Sequence, residues 1–206
     1  MVKKRLRSGI KVILVVLMSL LISCEEDKTE LVYELNQADD LDEEIYKVFE
    51  RTINQKFSNH EYIVLQQETD TTVHEQHCRQ LYESETTDLD TPIIDNYLQK
   101  NQDSYNLGSN FDTDAKVKLV TRKEINSYEL NSHEGWESFH NNYPEAEGVV
   151  YLSLPGFDSN DDNDYSRALF EYTWHTEMAE SEHYMVYLRK KEGEWHMMVH
   201  ENIDVQ

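Results

Sequence analysis

Four β-like runs close the chain: "GVVYLSLPGF", "RALFEYTWH", "EHYMVYLRK" and "EWHMMVH". Each is rich in β-branched and aromatic residues, and turn-forming residues separate them, the pattern of an antiparallel meander. The dipeptide Glu192-Gly193 fixes the register of the last pair. With those two residues as the loop, Leu188 faces Met197, Val186 faces Val199, Tyr187 faces Met198 and Met185 faces His200. The first two pairs form an apolar face and the other pairs a mixed one. A slip of one residue would invert both faces, so the register is constrained. Trp195, on the apolar face with Met197 and Val199, is expected in the core.

Helical periodicity precedes the meander. In "DLDEEIYKVFERTINQKF", Leu41, Ile45, Val48, Phe49 and Ile53 make one apolar stripe, with Asp40 and Glu43 in a capping-box pattern. "EYIVLQQ" and "AKVKLV" have strand character. Thr91-Pro92 before "IIDNYLQK" places threonine at a cap and proline at the first helical position. "HEGWESFHNNYP" predicts a short helix with Trp136, Phe139 and His140 on one face, stopped by Pro144. The expected fold is α+β, with N-terminal helices packed on one face of a C-terminal antiparallel meander of four to six strands.

The N-terminus differs in kind. Lys3, Lys4, Arg5, Arg7 and Lys11 precede an apolar run from Val12 to Ile22, broken only by Ser19. The run suits a signal peptide and falls short of the roughly 20 residues of a membrane span. It ends Leu21-Ile22-Ser23-Cys24, followed by Glu25-Glu26-Asp27. This start resembles the lipobox of bacterial lipoprotein precursors. The resemblance implies cleavage before Cys24, acylation of that residue, and attachment to a membrane through its lipid. It sets expected boundaries: a signal peptide at 1–23, an acidic tether at 24–40, and one domain at 41–206. The acidic run is a solvated spacer; it also resembles the export signal that sends some Bacteroidota lipoproteins to the cell surface. Tyr143–Gly148, Leu152–Phe157, Ala168–Tyr172 and Gly193–Trp195 resemble segments of a group of Bacteroidota lipoproteins, and no activity comes with that likeness. The implied address is the outer membrane, on its periplasmic side or at the cell surface.

Losing those five cations and no acid takes the net charge from −22 to −27. Such a field repels phosphate backbones, which argues against nucleic acid, and attracts a basic protein, a basic peptide or a divalent cation. The same charge also serves as a solubilising coat. The chain has two cysteines. With Cys24 lipidated, Cys78 has no partner for an intramolecular disulfide and is expected to pack as a small hydrophobe; the competing role is a nucleophile.

Several motifs invite chemistry. "VHEQHC" sets His74 and His77 three apart, one short of the H-E-x-x-H zinc-protease spacing. The pair is read as exposed polar residues, with a shared metal as the alternative. His196 and His200 lie about 13 Å apart on one strand, too far to share an ion. In the expected register His183 and His200 are diagonal neighbours, able to hold a weak ion with Glu182 or Glu201. Asp158, Asn160, Asp162 and Asp164 alternate in "DSNDDNDYS" and suit calcium, although the EF-hand glycine and terminal glutamate are missing. The preferred reading there is a solvated hairpin loop. The six glycines form no phosphate-binding loop, and no nucleophile-elbow motif occurs. No catalytic residue and no cofactor is therefore assigned. The expected function is a non-enzymatic binding or structural lipoprotein. The alternative is a small envelope hydrolase using carboxylates or a histidine-held metal.

Overall fold

The computed structural model describes residues 32–84, 87–158, 165–178 and 180–203. The chain divides into two units, 1–32 and 33–206. The first, with the signal segment, Cys24 and most of the expected tether, lies outside the described residues apart from Val32. The second begins at Tyr33, earlier than the expected start at 41. It is anchored there: the Asn36 amide donates to Gln67 Oε1 at 2.8 Å and Asp39 N to the Asn106 carbonyl at 2.9 Å.

Helix α1 is Glu43–Lys56, with Asp42 rather than Asp40 as its cap. Its expected stripe is buried at Ile45, Val48, Phe49 and Ile53, with Leu41 partly covered. β1 (Tyr62–Gln66) follows, then α2 (Glu75–Glu83) and α3 (Thr91–Lys100). Asp90 caps α3, accepting from Ile93 N, so Thr91 is the first helical residue rather than the cap. β2 (Lys116–Val120) leads to α4 (Arg122–Ser127) and α5 (His133–Asn142). The meander comprises β3 (Val149–Leu152), the short β4 (Gly156–Phe157), β5 (Arg167–Glu177), β6 (Glu180–Lys191) and β7 (Glu194–Asn202). Ser153 to Pro155 divide "GVVYLSLPGF" into two strands.

These strands build one seven-stranded sheet in the order β2-β1-β3-β5-β6-β7, with β4 also paired to β5. It is mixed, not a purely antiparallel sheet of four to six strands. β1 runs parallel to both β2 and β3, and the remaining pairings are antiparallel. The physical reason is the helical connections between β1, β2 and β3, which carry the chain back to start each strand in the same direction.

Helices cover both faces, where the sequence suggested one. Phe49 meets Phe170, and Phe57 meets Tyr172 and Trp174, so α1 packs on the face bearing the even-numbered residues of β5. The odd-numbered face carries Glu171, Thr173 and His175, and α2, α3 and α5 lie against it. Trp136 of α5 meets His175 edge-on, and Val64, Val120 and Val149 share a core with Ile125, Trp136 and Phe139. At Gly156 an added Cβ would stand 2.5 Å from Tyr97 Cα, so α3 approaches closely where only glycine fits.

The final turn is as expected: Glu192 and Gly193 both have positive φ, 53° and 85°, the two-residue hairpin geometry. Beyond it the register is right only for Leu188 opposite Met197. A bulge between Tyr187 and Leu188 then sets Tyr187 opposite Val199 and Val186 opposite His200. Val199 therefore moves to the face opposite Met197, and His200 joins the α1 face. Trp195 is buried as expected, and its indole Nε1 donates to Glu44 of α1 at 3.0 Å.

Candidate functional site

The densest grouping of chemistry-bearing side chains lies where α2 meets β5 and β6. Glu171 stands mid-strand between Phe170 and Tyr172, and only 5% of it is exposed. A lone carboxylate buried in an apolar strand requires partners. They come from the N-terminal end of α2. His74, the helix's N-cap residue, donates its backbone N–H to Glu171 Oε1 at 3.0 Å, and its ring Nδ1 lies 2.6 Å from Oε2. A carboxylate thus meets the orphan amides and positive dipole end of a helix. Cys78, one turn into α2, directs its thiol at Glu171 Oε1 from 4.0 Å. Tyr97 of α3 donates to Ser153 Oγ, which bridges to the Glu171 backbone in both directions.

Two further histidines flank His74, with ring centroids at 5.9 Å for His77 and 5.8 Å for His183. His183 Nδ1 is 2.9 Å from Thr173 Oγ1. Burial and the neighbouring His74 lower the His183 pKa. His77 Nδ1 is buried without a hydrogen-bond partner. His74 and His77 are thus partly buried, and His74 is engaged with the sheet, not the exposed pair that spacing suggested. Among the described residues, no three His, Cys, Asp or Glu side chains stand together as a metal site.

The cluster's chemistry is constrained by its closure. Burial, then the Glu171 charge, push the Cys78 thiol up to about 12, and the residue is fully buried. A nucleophilic cysteine needs the opposite setting, exposed and electropositive. Cys78 packs as a small hydrophobe. His74 and Glu171 satisfy one another and fasten α2 to the sheet.

The other sequence candidates are dispersed. His200 lies on the α1 face, its ring stacked on Tyr184 at 4.3 Å and its Nε2 2.7 Å from the Tyr172 hydroxyl. Since His183 points to the opposite face, the expected His183–His200 pairing does not form; the bulge and strand alternation separate them. Burial, aided by Lys56, lowers the His200 pKa to about 4, while burial and the neighbouring Tyr184 and Glu182 raise that of Tyr172. The phenol therefore donates to a neutral imidazole. Asp158 is buried and committed: it accepts from Ser166 N at 2.9 Å, Arg167 N at 2.8 Å, Arg167 Nε at 3.3 Å and the Ser166 hydroxyl. Asn160, Asp162 and Asp164 lie outside the described residues, as does Cys24.

Clefts beside the sheet include two that border these elements. One, of about 300 Å³, runs between α2 and the β6–β7 edge, lined by His77, Gln80, Leu81, Met185, Glu201 and Ile203 among others. The other, of about 520 Å³, lies along edge strand β2, with Leu35, Phe111, Val117 and Leu119 as its apolar wall. Comparison with family models, with curated proteins and with solved structures gave no match.

The sequence signal for the buried cluster was present in "LFEYT", where one acid interrupts a strand of large apolar residues. Nothing local indicated that its partner would be His74, 97 residues away.

Proposed function

We propose that this chain is an exported lipoprotein, anchored through acylated Cys24, whose domain acts by binding and not by catalysis. The observation that carries the reading is the ordered start: five cations, an apolar run, Leu21-Ile22-Ser23-Cys24, and an acidic stretch. Two acyl chains on one cysteine suffice for stable anchoring, where one gives only marginal attachment. The other cysteine supports the non-catalytic half. Cys78 is sealed and its thiol pKa is raised to about 12, and the nearby histidine–carboxylate pair is consumed in holding α2. The α2–β7 cleft presents one carboxylate, Glu201, among its described lining, whereas the β2 cleft presents two, Glu61 and Asp114.

A charge of −27 after processing favours cationic partners, a basic protein or peptide or a divalent ion, and supplies a solubilising coat. Capture of basic proteins from envelope extracts should fall steeply with salt, because the Debye length shrinks from about 30 Å at 0.01 M to about 8 Å at 0.15 M. Metabolic labelling with a clickable fatty acid tests the anchor. The wild type should label and Cys24→Ala should not; equal labelling of both would overturn the reading.

A further inference from the structure

The stretch "KVKLVTRK", residues 116–123, carries four cations and no acid, in a chain with 41 Asp and Glu against 19 Lys and Arg. It forms edge strand β2 and the start of α4. Lys116, Lys118, Arg122 and Lys123 are all exposed. Lys47, Arg79, Arg167, Arg189 and Lys190 each pair with a carboxylate. Among the described residues, the four cations of the β2 edge make no such pair, as is also true of the scattered Arg51, Lys56, Lys100 and Lys191; the β2 edge is where four of them lie within eight residues. Lys123 lies over the Tyr33 ring at 5.9 Å, and Arg122 donates to the Thr69 carbonyl and Ser104. Beside them Leu35, in the β2 cleft, leaves 47% of its surface exposed. Cations flanking an exposed apolar side chain are the composition of a membrane-interfacial surface.

Chain length fixes where this edge can go. The folded unit begins at Tyr33, against Lys123. Eight residues lie between Cys24 and Tyr33, nine Cα–Cα steps with a reach of at most roughly 30 Å. Resting on the lipid-anchor reading above, we propose that the β2 edge, with Lys116, Lys118, Arg122, Lys123 and Leu35, docks on the anionic phospholipid headgroups of the anchoring membrane. The attraction of each cation to such a surface decays within a Debye length, about 8 Å at 0.15 M salt. Acids elsewhere on the domain are screened from the contact; Glu61 and Asp114 at the same cleft, Glu68, which accepts from Arg122 N at 2.7 Å, and the neighbouring Glu34 and Glu124 oppose it locally. Lysines on an edge strand also block strand pairing. That role accounts for Lys116 and Lys118, but not for Arg122 and Lys123 on α4 or for the exposed Leu35.

The test uses the lipidated mature protein in phosphatidylcholine vesicles with and without phosphatidylglycerol. Lysines are modified by an amine-reactive reagent and quantified by mass spectrometry, with exposed Lys191 at the β6–β7 turn as internal reference. Lys116, Lys118 and Lys123 should be protected several-fold relative to Lys191 on anionic vesicles only. High salt should abolish the protection, and so should Lys116→Glu with Lys118→Glu, read at Lys123. Equal modification on both vesicles would overturn the docking and leave the anchor intact. So would protection that ignores salt and lipid charge, or that requires an added envelope protein. Protein that fails to float with either vesicle would overturn the anchor and the docking with it.

Discussion

Replacing His74 by alanine should destabilise the domain far more than its place at a helix end suggests. The side chains of His74 and Glu171 are 17% and 7% exposed, and their 2.6 Å contact reaches Glu171 Oε2. His74→Ala keeps the backbone N–H that reaches Oε1 and removes the ring from Oε2. Breaking a buried pair by deleting one partner costs about 3–5 kcal/mol, because the survivor is left uncompensated. Against a whole-domain stability of roughly 5–15 kcal/mol, that is a large fraction. Urea melts of wild type, His74→Ala, Glu171→Gln and the double variant measure the coupling. The double variant should recover much of the His74→Ala loss, since no charge is left stranded. A His74→Ala loss below about 1 kcal/mol, or a double variant whose loss equals the sum of the singles, would show that the pair is not the fastening described.

Trp195→Ala should cost about 3–5 kcal/mol in the same melts, since the indole is buried and donates to Glu44; a loss under about 1 kcal/mol would refute its core role. The His200 pKa falls from 6.5 to about 4 on folding, so the unfolded chain binds the extra proton. Stability should therefore be complete above about pH 6.5 and decline toward pH 4, by well under the roughly 3 kcal/mol of an unscreened shift, because solvent screens the half-buried ring. His200→Asn should flatten that part of the profile, and an unchanged profile would remove His200 as the cause. Cys78 should resist a thiol reagent in the native state and react fully in urea; rapid native reaction would contradict its burial.

What the sequence revealed and what it hid divide along physical lines. Local signals were legible: the apolar stripe of α1, the helical Trp136–Phe139 face, the Glu192-Gly193 turn and the burial of Trp195. Each depends on residues a few positions apart. The parallel pairing of β1 with β2 and β3 was not legible, because Ile63, Val117 and Val150 look alike whichever direction the neighbouring strand runs. The bulge near Leu188 was equally silent. It is a single unpaired residue, yet it reassigned Val199 and His200 to opposite faces and dissolved a histidine pairing. At the candidate cluster both partners left a local mark, the histidines in "VHEQHC" and the lone acid in "LFEYT", but nothing local paired them, although the carboxylate is what gives His74 its position. The exposed reading of His74 and His77 failed because spacing within one helix is silent about which strand the helix will cover.

The seal between α1 and the last hairpin has a consequence for how the protein is made. Glu44 near the start of the domain holds Lys190 and Trp195, 146 and 151 residues later. Synthesis from the N-terminus delivers α1 first and the strands that cover it last. Until β5 to β7 emerge, the stripe of Ile45, Val48, Phe49 and Ile53 lacks the strands that bury it, and contacts that span so much sequence are slow to form. Completion is thereby deferred to the arrival of the last strand. Until then the domain offers its greasy helix to any chaperone at hand. Truncation within β7 would leave a chain that cannot close.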